Sequence, residues 1–240
     1  MSRRALVTGG SGAIGAAICR RLAADGCAVL IHAHRGVEAA EALAAEIRAA
    51  GGTAQPLIFD LTDAAASAAA LDAVLADGPV QVLVHNAGVH DDAVLPGMRA
   101  EQWHRVIDVS LHGFYHVTQP LLLPMIRTRW GRIVNIGSIA GIAGNRGQVN
   151  YAAAKGALHA ATKALSLEVA GRGITVNAVA PGIIATPMSQ GAFDAAAIAR
   201  LVPAKRAGQP AEVADLVGFL CSEQAAYISG QIISINGGML

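Results

Sequence analysis

Residues 5–15 read ALVTGGSGAIG, and the stretch AIGAAICRRLAADG continues from Ala13. A short apolar run ends in glycines and passes into apolar residues at helical spacing, which is the opening of a strand–turn–helix unit. Gly9 and Gly10 permit a tight turn, and Gly15 lets the helix lie close to the strand. Six further apolar runs follow: AVLIHAH, AQPLIFD, VQVLVHNAG, RIVNIGS, ITVNAVAPG and QIISING. Alanine-rich helical stretches separate most of them, including one over about Glu101–Arg129, one over about Val149–Ala170 and PAEVADLVGFLCS near the end. Strand and helix alternating in this way predict parallel strands joined by right-handed crossovers. No linker or repeat divides the chain. The expectation is one α/β domain over residues 1–240, a doubly wound, Rossmann-type, mainly parallel seven-stranded sheet flanked by helices. A small lid is expected at about 186–205.

Composition narrows the class. The hydrophobic share is 53% with only 4% aromatics, so Ala, Val, Ile and Leu supply the core, as suits helices packed on a buried parallel sheet. The formal net charge of +1 gives no broad basic field for nucleic acid. No apolar run reaches the roughly 18 residues of a membrane span. The start, MSRRALVTGG, turns into strand and glycine turn too early for a signal peptide. Cys19, Cys27 and Cys221 share no metal-ligand spacing and read as small buried hydrophobes of a reducing, cytoplasmic compartment. His112 and His116 lie one turn apart but have no third ligand, so no metal is expected.

In a doubly wound sheet the ligand crevice lies beyond the carboxyl ends of the strands. The turn holding Gly9, Ser11, Gly12, Ala13, Ile14 and Gly15 would aim helix N–H groups at a pyrophosphate. Ala13 stands where a second glycine is common. The second strand ends in HAHRG without the acid that usually holds ribose hydroxyls. Arg35, helped by His34 or His32, would suit a 2′-phosphate, which favours NADP(H); the alternative is a solvated loop charge. Tyr151 and Lys155 in NYAAAK share a helix face. A cation beside a phenol lowers its pKa from about 10, and Ser138 after the fifth strand could hold a carbonyl oxygen. The combination predicts proton transfer to a carbonyl that receives hydride.

With TGGSGAIG, NAG, Ser138, YAAAK and VNAVAPGIIATPM in that order, the chain resembles the classical short-chain dehydrogenase/reductase family over its whole length. The resemblance implies Ser138 as carbonyl-orienting residue, Tyr151 as acid/base, and Lys155 as the residue that binds nicotinamide ribose and tunes the tyrosine. It implies cofactor contacts from Asp60 and Leu61, from Asn86, Ala87 and Gly88, and from Pro181, Gly182, Ile184 and Thr186. One departure stands out. Many members carry an asparagine in the long fourth helix as part of a proton relay, and Ser110 occupies that place here. GRIVNIGSIAG, GQVNYAAAKGAL and RGITVNAVAPG are most similar to the reductases of 3-oxoacyl groups on acyl carrier protein. HAHRG and Ser110 lean toward ketoreductases of secondary lipid or aryl-polyene pathways. The resemblance implies an acyl-carrier-protein partner met by Arg129 and Arg172, an acyl thioester substrate, and a homo-oligomer, a tetramer by family. Other activities left open are dehydrogenation of a free alcohol, sugar or steroid and reduction of acetoacetyl-CoA.

Overall fold

A computed structural model describes residues 2–187 and 194–240. Its strands are β1 (Arg4–Val7), β2 (Ala28–Ala33), β3 (Thr53–Ile58), β4 (Val82–His85), β5 (Gly131–Ile136), β6 (Ile174–Pro181) and β7 (Ile232–Ile235). They form one sheet in the order β3-β2-β1-β4-β5-β6-β7, and every pairing is parallel. The seven apolar runs of the sequence are thus the seven strands. β5 and β6 are buried along their whole length, as expected for strands covered on both faces.

Helices α1 (Ala13–Ala24), α2 (Val37–Ala49) and α9 (Pro210–Cys221) cover one face. Ile18, Leu22, Leu43, Ile47, Val213 and Val217 pack there with Val7, Ile31 and Val134. Helices α3 (Ala64–Ala76) and α5 (Gly113–Thr128) cover the other, where Leu71, Val117, Leu121 and Met125 meet Leu6, Leu83, Ile133 and Val176. Each fully buried leucine or valine is worth roughly 1.5–3 kcal/mol of transfer free energy, so both faces contribute to holding the strand ends in place.

The helix expected over Glu101–Arg129 is interrupted. α4 (Ala100–Ile107) and α5 are joined by a π-helical turn, Asp108–His112. A π turn widens the ladder by one residue and releases a backbone group from its regular bond, and Ser110 lies in that turn. α6 (Ala140–Ala143) and α7 (Val149–Val169) follow β5. α8 (Ala195–Leu201) falls inside the stretch expected as a lid; residues 188–193 of that stretch lie outside the described residues. Among the described residues no helix is long and apolar enough to cross a membrane.

Candidate active site

Strand order reverses at β1, which has β2 on one side and β4 on the other. A crevice opens at such a switch point, on the carboxyl side of the sheet. Thr8 follows β1, and its hydroxyl oxygen accepts the N–H groups of Asn86 and Ala87, each at 3.0 Å. The Asn86 amide donates back to the carbonyls of Thr8 and Gly9, also at 3.0 Å. A Cβ on Gly15 would lie 2.2 Å from the Gly9 carbonyl oxygen and 2.8 Å from Asn86 Nδ2. The glycine turn, α1 and the Asn86–Ala87–Gly88 turn are therefore pressed into one body, and no side chain fits at position 15.

α1 starts at Ala13 behind an N-cap glycine, Gly12, with no side-chain cap and no acid in its first turn. Its N–H groups form a positive end without a built-in side-chain acceptor, which fits a phosphate-bearing cofactor. Ala13 has no positive φ, so its methyl is accommodated in ordinary helical backbone. Ser11 and Ile14 are half-buried around the same turn.

The end of β2 separates three candidates. His32 is buried; its Nδ1 accepts the Gly9 N–H at 3.1 Å, and its Nε2 lies 3.1 Å from the Phe59 carbonyl oxygen, to which it donates. Burial pushes its pKa down to about 4. The imidazole is neutral and both nitrogens are engaged, so the expectation that His32 could help bind an anion is corrected. His34 and Arg35 are exposed, and His34 Nδ1 lies 3.7 Å from Asp60 Oδ2. Burial works to raise the Asp60 carboxyl, but bonds from Thr62 and the nearby His34 and Arg35 outweigh it and hold the group below its usual value. Leu61 is buried, with its side chain against Gly113 at the head of α5, so only its backbone remains for a ligand.

β5 delivers Ser138 and α7 delivers Tyr151 and Lys155. α7 buries an unusual face, with Asn150, Lys155, His159, Thr162 and Ser166 among its buried residues. The glycines around Ser138 make room for it. A Cβ on Gly137 would fall 2.1 Å from His159 Nε2, and one on Gly141 2.7 Å from the Lys155 carbonyl carbon. The Ser138 hydroxyl oxygen accepts the Ala140 N–H at 3.1 Å. Asn150 fixes the start of α7, donating to the carbonyls of Asp91 at 2.9 Å and Gln102 at 3.0 Å.

The Tyr151–Lys155 pair departs from the simple reading of its spacing. Lys155 Nζ lies 5.8 Å from the centre of the Tyr151 ring and donates to the Ile136 carbonyl at 2.9 Å. Burial raises the Tyr151 pKa, the Ser138 hydroxyl beside it pulls the other way, and the Asp92 charge adds to the rise. Lys155, whose ammonium is bonded at the end of β5, adds no lowering to Tyr151. Lys155 is 3% exposed, and burial pushes its own pKa down to about 8.

Ser110 is fully buried in the π turn, and its hydroxyl has no hydrogen-bond partner among the described residues. Gly88 faces both groups: a Cβ there would lie 3.0 Å from Lys155 Nζ and 3.7 Å from Ser110 Oγ. Pro181 and Gly182 close β6, where the Pro181 carbonyl accepts from Ile139 N–H at 3.1 Å and Gly182 N–H donates to Ile235 at 2.9 Å. Ile184 is buried and bridges to Gly208, and Thr186 is half-buried.

Arg129 and Arg172 are not brought to this site. Both are exposed and immediately precede β5 and β6, at the amino end of the sheet. A six-residue strand, about 20 Å, separates that end from Ser138. A hollow of about 460 Å³ also opens at the amino end, among Arg21, Asp25, Cys27 and Phe219, away from every group described above. Its arginines are already paired, Arg21 with Asp25 and Asp215, and Arg3 with Glu223. Burial pushes the Cys19 thiol up to about 12 and also raises Cys27 and Cys221, which suits inert packing. His112 pairs with Asp108 at 2.9 Å, and His116 Nδ1 lies 2.9 Å from the Leu61 carbonyl oxygen.

Three groups near the site escaped the sequence reading, and a fourth, His85, was legible there only by its position after the fourth strand. Gln148 donates to Asp92 at 2.8 Å at the rim, and Asp92 acts on Tyr151 by its charge. His159 is buried against the Ser138 loop. His85, at the end of β4, is fully buried between Thr8 and Ser110.

Residues 3–197 match the family model described as short chain dehydrogenase. The chain is 45% identical over 241 residues to the 3-oxoacyl-[acyl-carrier-protein] reductase FabG of Aggregatibacter actinomycetemcomitans, covering 100% of both. It is 42% identical to the protein of that name from Escherichia coli K12, covering 98% of this chain and 96% of the relative. Nodulation protein G of Azospirillum brasilense is 41% identical, with 98% and 97% covered.

Proposed function

The chain belongs to the short-chain dehydrogenase family, and from that premise we propose that it reduces a 3-oxoacyl thioester, carried by acyl carrier protein, to the 3-hydroxyacyl thioester with NADPH. The observation that carries the reading is the convergence of Ser138, Tyr151 and Lys155 beside an uncapped helix end at the sheet's switch point. When bound, the reduced nicotinamide coenzyme supplies hydride. Ser138 holds the carbonyl oxygen of the substrate by donating to it. Tyr151 gives its phenolic proton to the same oxygen. Lys155 keeps its ammonium donors at the end of β5, ready for a ribose hydroxyl. Gly9, Ser11, Gly12, Ala13, Ile14 and Gly15 form the phosphate cradle. Asn86, Ala87 and Gly88 support the coenzyme from β4, and Pro181, Gly182, Ile184 and Thr186 do so from the end of β6. Asp60 and the Leu61 backbone take the adenine.

His34 and Arg35 select the 2′-phosphate, because no carboxylate closes β2 and Arg35 is exposed beside its end. Arg35→Ala should weaken NADPH binding about tenfold or more and leave NADH nearly unchanged; equal effects on both coenzymes would contradict the assignment. The protein works as a single domain over 1–240 with a lid at about 186–205, in a cytoplasmic homotetramer. Arg129 and Arg172 are the proposed carrier-protein contacts, remote from the Tyr151 of their own chain. The test is a turnover panel of carrier-protein thioesters, coenzyme A thioesters and free ketones, with wild type and the Arg129→Ala/Arg172→Ala double variant. Preference for carrier-linked substrates, lost in the double variant, supports the reading. Faster reduction of free ketones, unaffected by the double variant, would overturn it.

A further inference from the structure

His85 joins three parts of the molecule through one directional chain of hydrogen bonds. The Thr8 hydroxyl oxygen already accepts two backbone N–H groups, from Asn86 and Ala87. Its own proton is therefore free to go to His85 Nδ1, 3.2 Å away. The other nitrogen, Nε2, lies 3.0 Å from the backbone carbonyl oxygen of Ser110, which can only accept. These partners fix the tautomer with the proton on Nε2. The ring is fully buried and stacks edge-on against Phe114 at 5.8 Å, so it has little freedom to turn. Burial, with the Lys155 charge close by, pushes its pKa down to about 3, so the neutral ring is the form present.

The consequence falls on Ser110. Within the π turn, His85 engages the Ser110 carbonyl as its acceptor. What Ser110 then presents beside Gly88, on the side where Lys155 Nζ lies, is its hydroxyl, fully buried and without a partner among the described residues. Lys155 has three N–H donors, and the Ile136 carbonyl accepts one. We propose that His85 is a positioning residue: by occupying the Ser110 carbonyl it locks the π turn against the coenzyme cradle and makes the Ser110 hydroxyl, not the carbonyl, the polar group that serves Lys155. This rests on the reductase reading for its kinetic consequences and on the hydrogen-bond chain alone for its geometry. A leucine at 85 would fill the space and free the carbonyl. A glutamine would keep a donor at the level of Nε2.

The experiment compares wild type, His85→Leu, His85→Gln and Ser110→Ala in steady-state reduction of an acetoacetyl thioester, with imidazole ¹⁵N spectra of the wild type. His85→Leu and Ser110→Ala should each lower kcat about tenfold or more while the thioester KM moves less than about threefold, and His85→Gln should recover most of kcat. The spectrum should show His85 neutral with the proton on Nε2 at pH 7. Wild-type kcat in His85→Leu or in Ser110→Ala, or equal losses in the leucine and glutamine variants, would overturn the proposal; so would a proton on Nδ1. If His85→Leu does not fold, His85→Gln decides by itself: kcat near wild type supports the proposal, and a loss beyond about thirtyfold overturns it. A wild-type protein inactive on every thioester would overturn the substrate reading, and the tautomer would then decide the His85 chain separately.

Discussion

A buried cation stands at each end of strand β5, Arg132 from the strand itself and Lys155 from α7. At its amino end Arg132 is 2% exposed. Its guanidinium donates to the carbonyls of Ser222 at 3.2 Å, Gly131 at 2.9 Å and Gly173 at 3.5 Å, reaches Glu223 at 3.5 Å, and lies 4.3 Å from the centre of the Trp130 ring. At its carboxyl end Lys155 is 3% exposed and donates to the Ile136 carbonyl alone among the protein bonds described. The first cation has bonds along its fork, a carboxylate and an aromatic face. The second is desolvated and left with donors to spare. A buried charge with incomplete compensation is costly to the fold, so its presence points to chemistry rather than to stability. The difference separates a group that ties together the amino end of the sheet from one proposed to meet the coenzyme.

The largest expected effect lies at the carboxyl end. Tyr151→Phe removes the proposed proton donor and should lower single-turnover coenzyme oxidation with an acetoacetyl thioester by a factor of about 100 to 10,000. A rate within threefold of wild type would break the contrast, since the poorly satisfied end would then hold no acid. Lys155→Met should follow, with a loss of roughly 100-fold in kcat/KM and a folded, soluble product. Arg132→Met should do the opposite. It removes the Arg132 bonds from the carbonyls of Ser222, Gly131 and Gly173 and from Glu223, which keeps Arg3 and Trp130; this costs about 3 kcal/mol and should lower Tm by several degrees. The rate per folded molecule should change less than about threefold. If Arg132→Met instead impaired turnover as strongly as Lys155→Met, the two ends could not be divided in this way.

Much of this layout was legible in the sequence. Seven apolar runs, six of them ending in Gly, Asp or Ser, announced both the parallel sheet and the end of it that bears the candidate site. The same strand directions already placed Arg129 and Arg172 at the far end, because both precede their strands. Tyr151 and Lys155 were legible from a four-residue spacing, but that spacing reports only a shared face. Where Lys155 Nζ points depends on the Ile136 carbonyl, nineteen positions away in the chain. The π turn at Asp108–His112 leaves no mark in apolar periodicity, since it shifts the ladder by one residue inside a continuous helical pattern. His32 illustrates the same limit. Its place in HAHR suggested an anion ligand, and only the Gly9 N–H and the Phe59 carbonyl reveal it as a neutral strut.

The central claim, that Lys155 is a cation the fold keeps at a cost, is tested most directly by the stability of wild type and Lys155→Met from pH 7 to pH 11. The folded-state pKa of Lys155 is depressed from 10.5 to about 8, so below pH 8 the full cost of burying the ammonium is present in wild type. Between pH 8 and 10.5 the unfolded chain holds the proton that the folded chain has released, and wild-type stability rises with pH. At about 1.4 kcal/mol per pKa unit the cost is on the order of 3 kcal/mol. The variant should therefore be the more stable protein at pH 7, with the gap closing as the pH passes 10.5. A wild type that is the more stable at pH 7, or a gap that does not change with pH, would contradict the account.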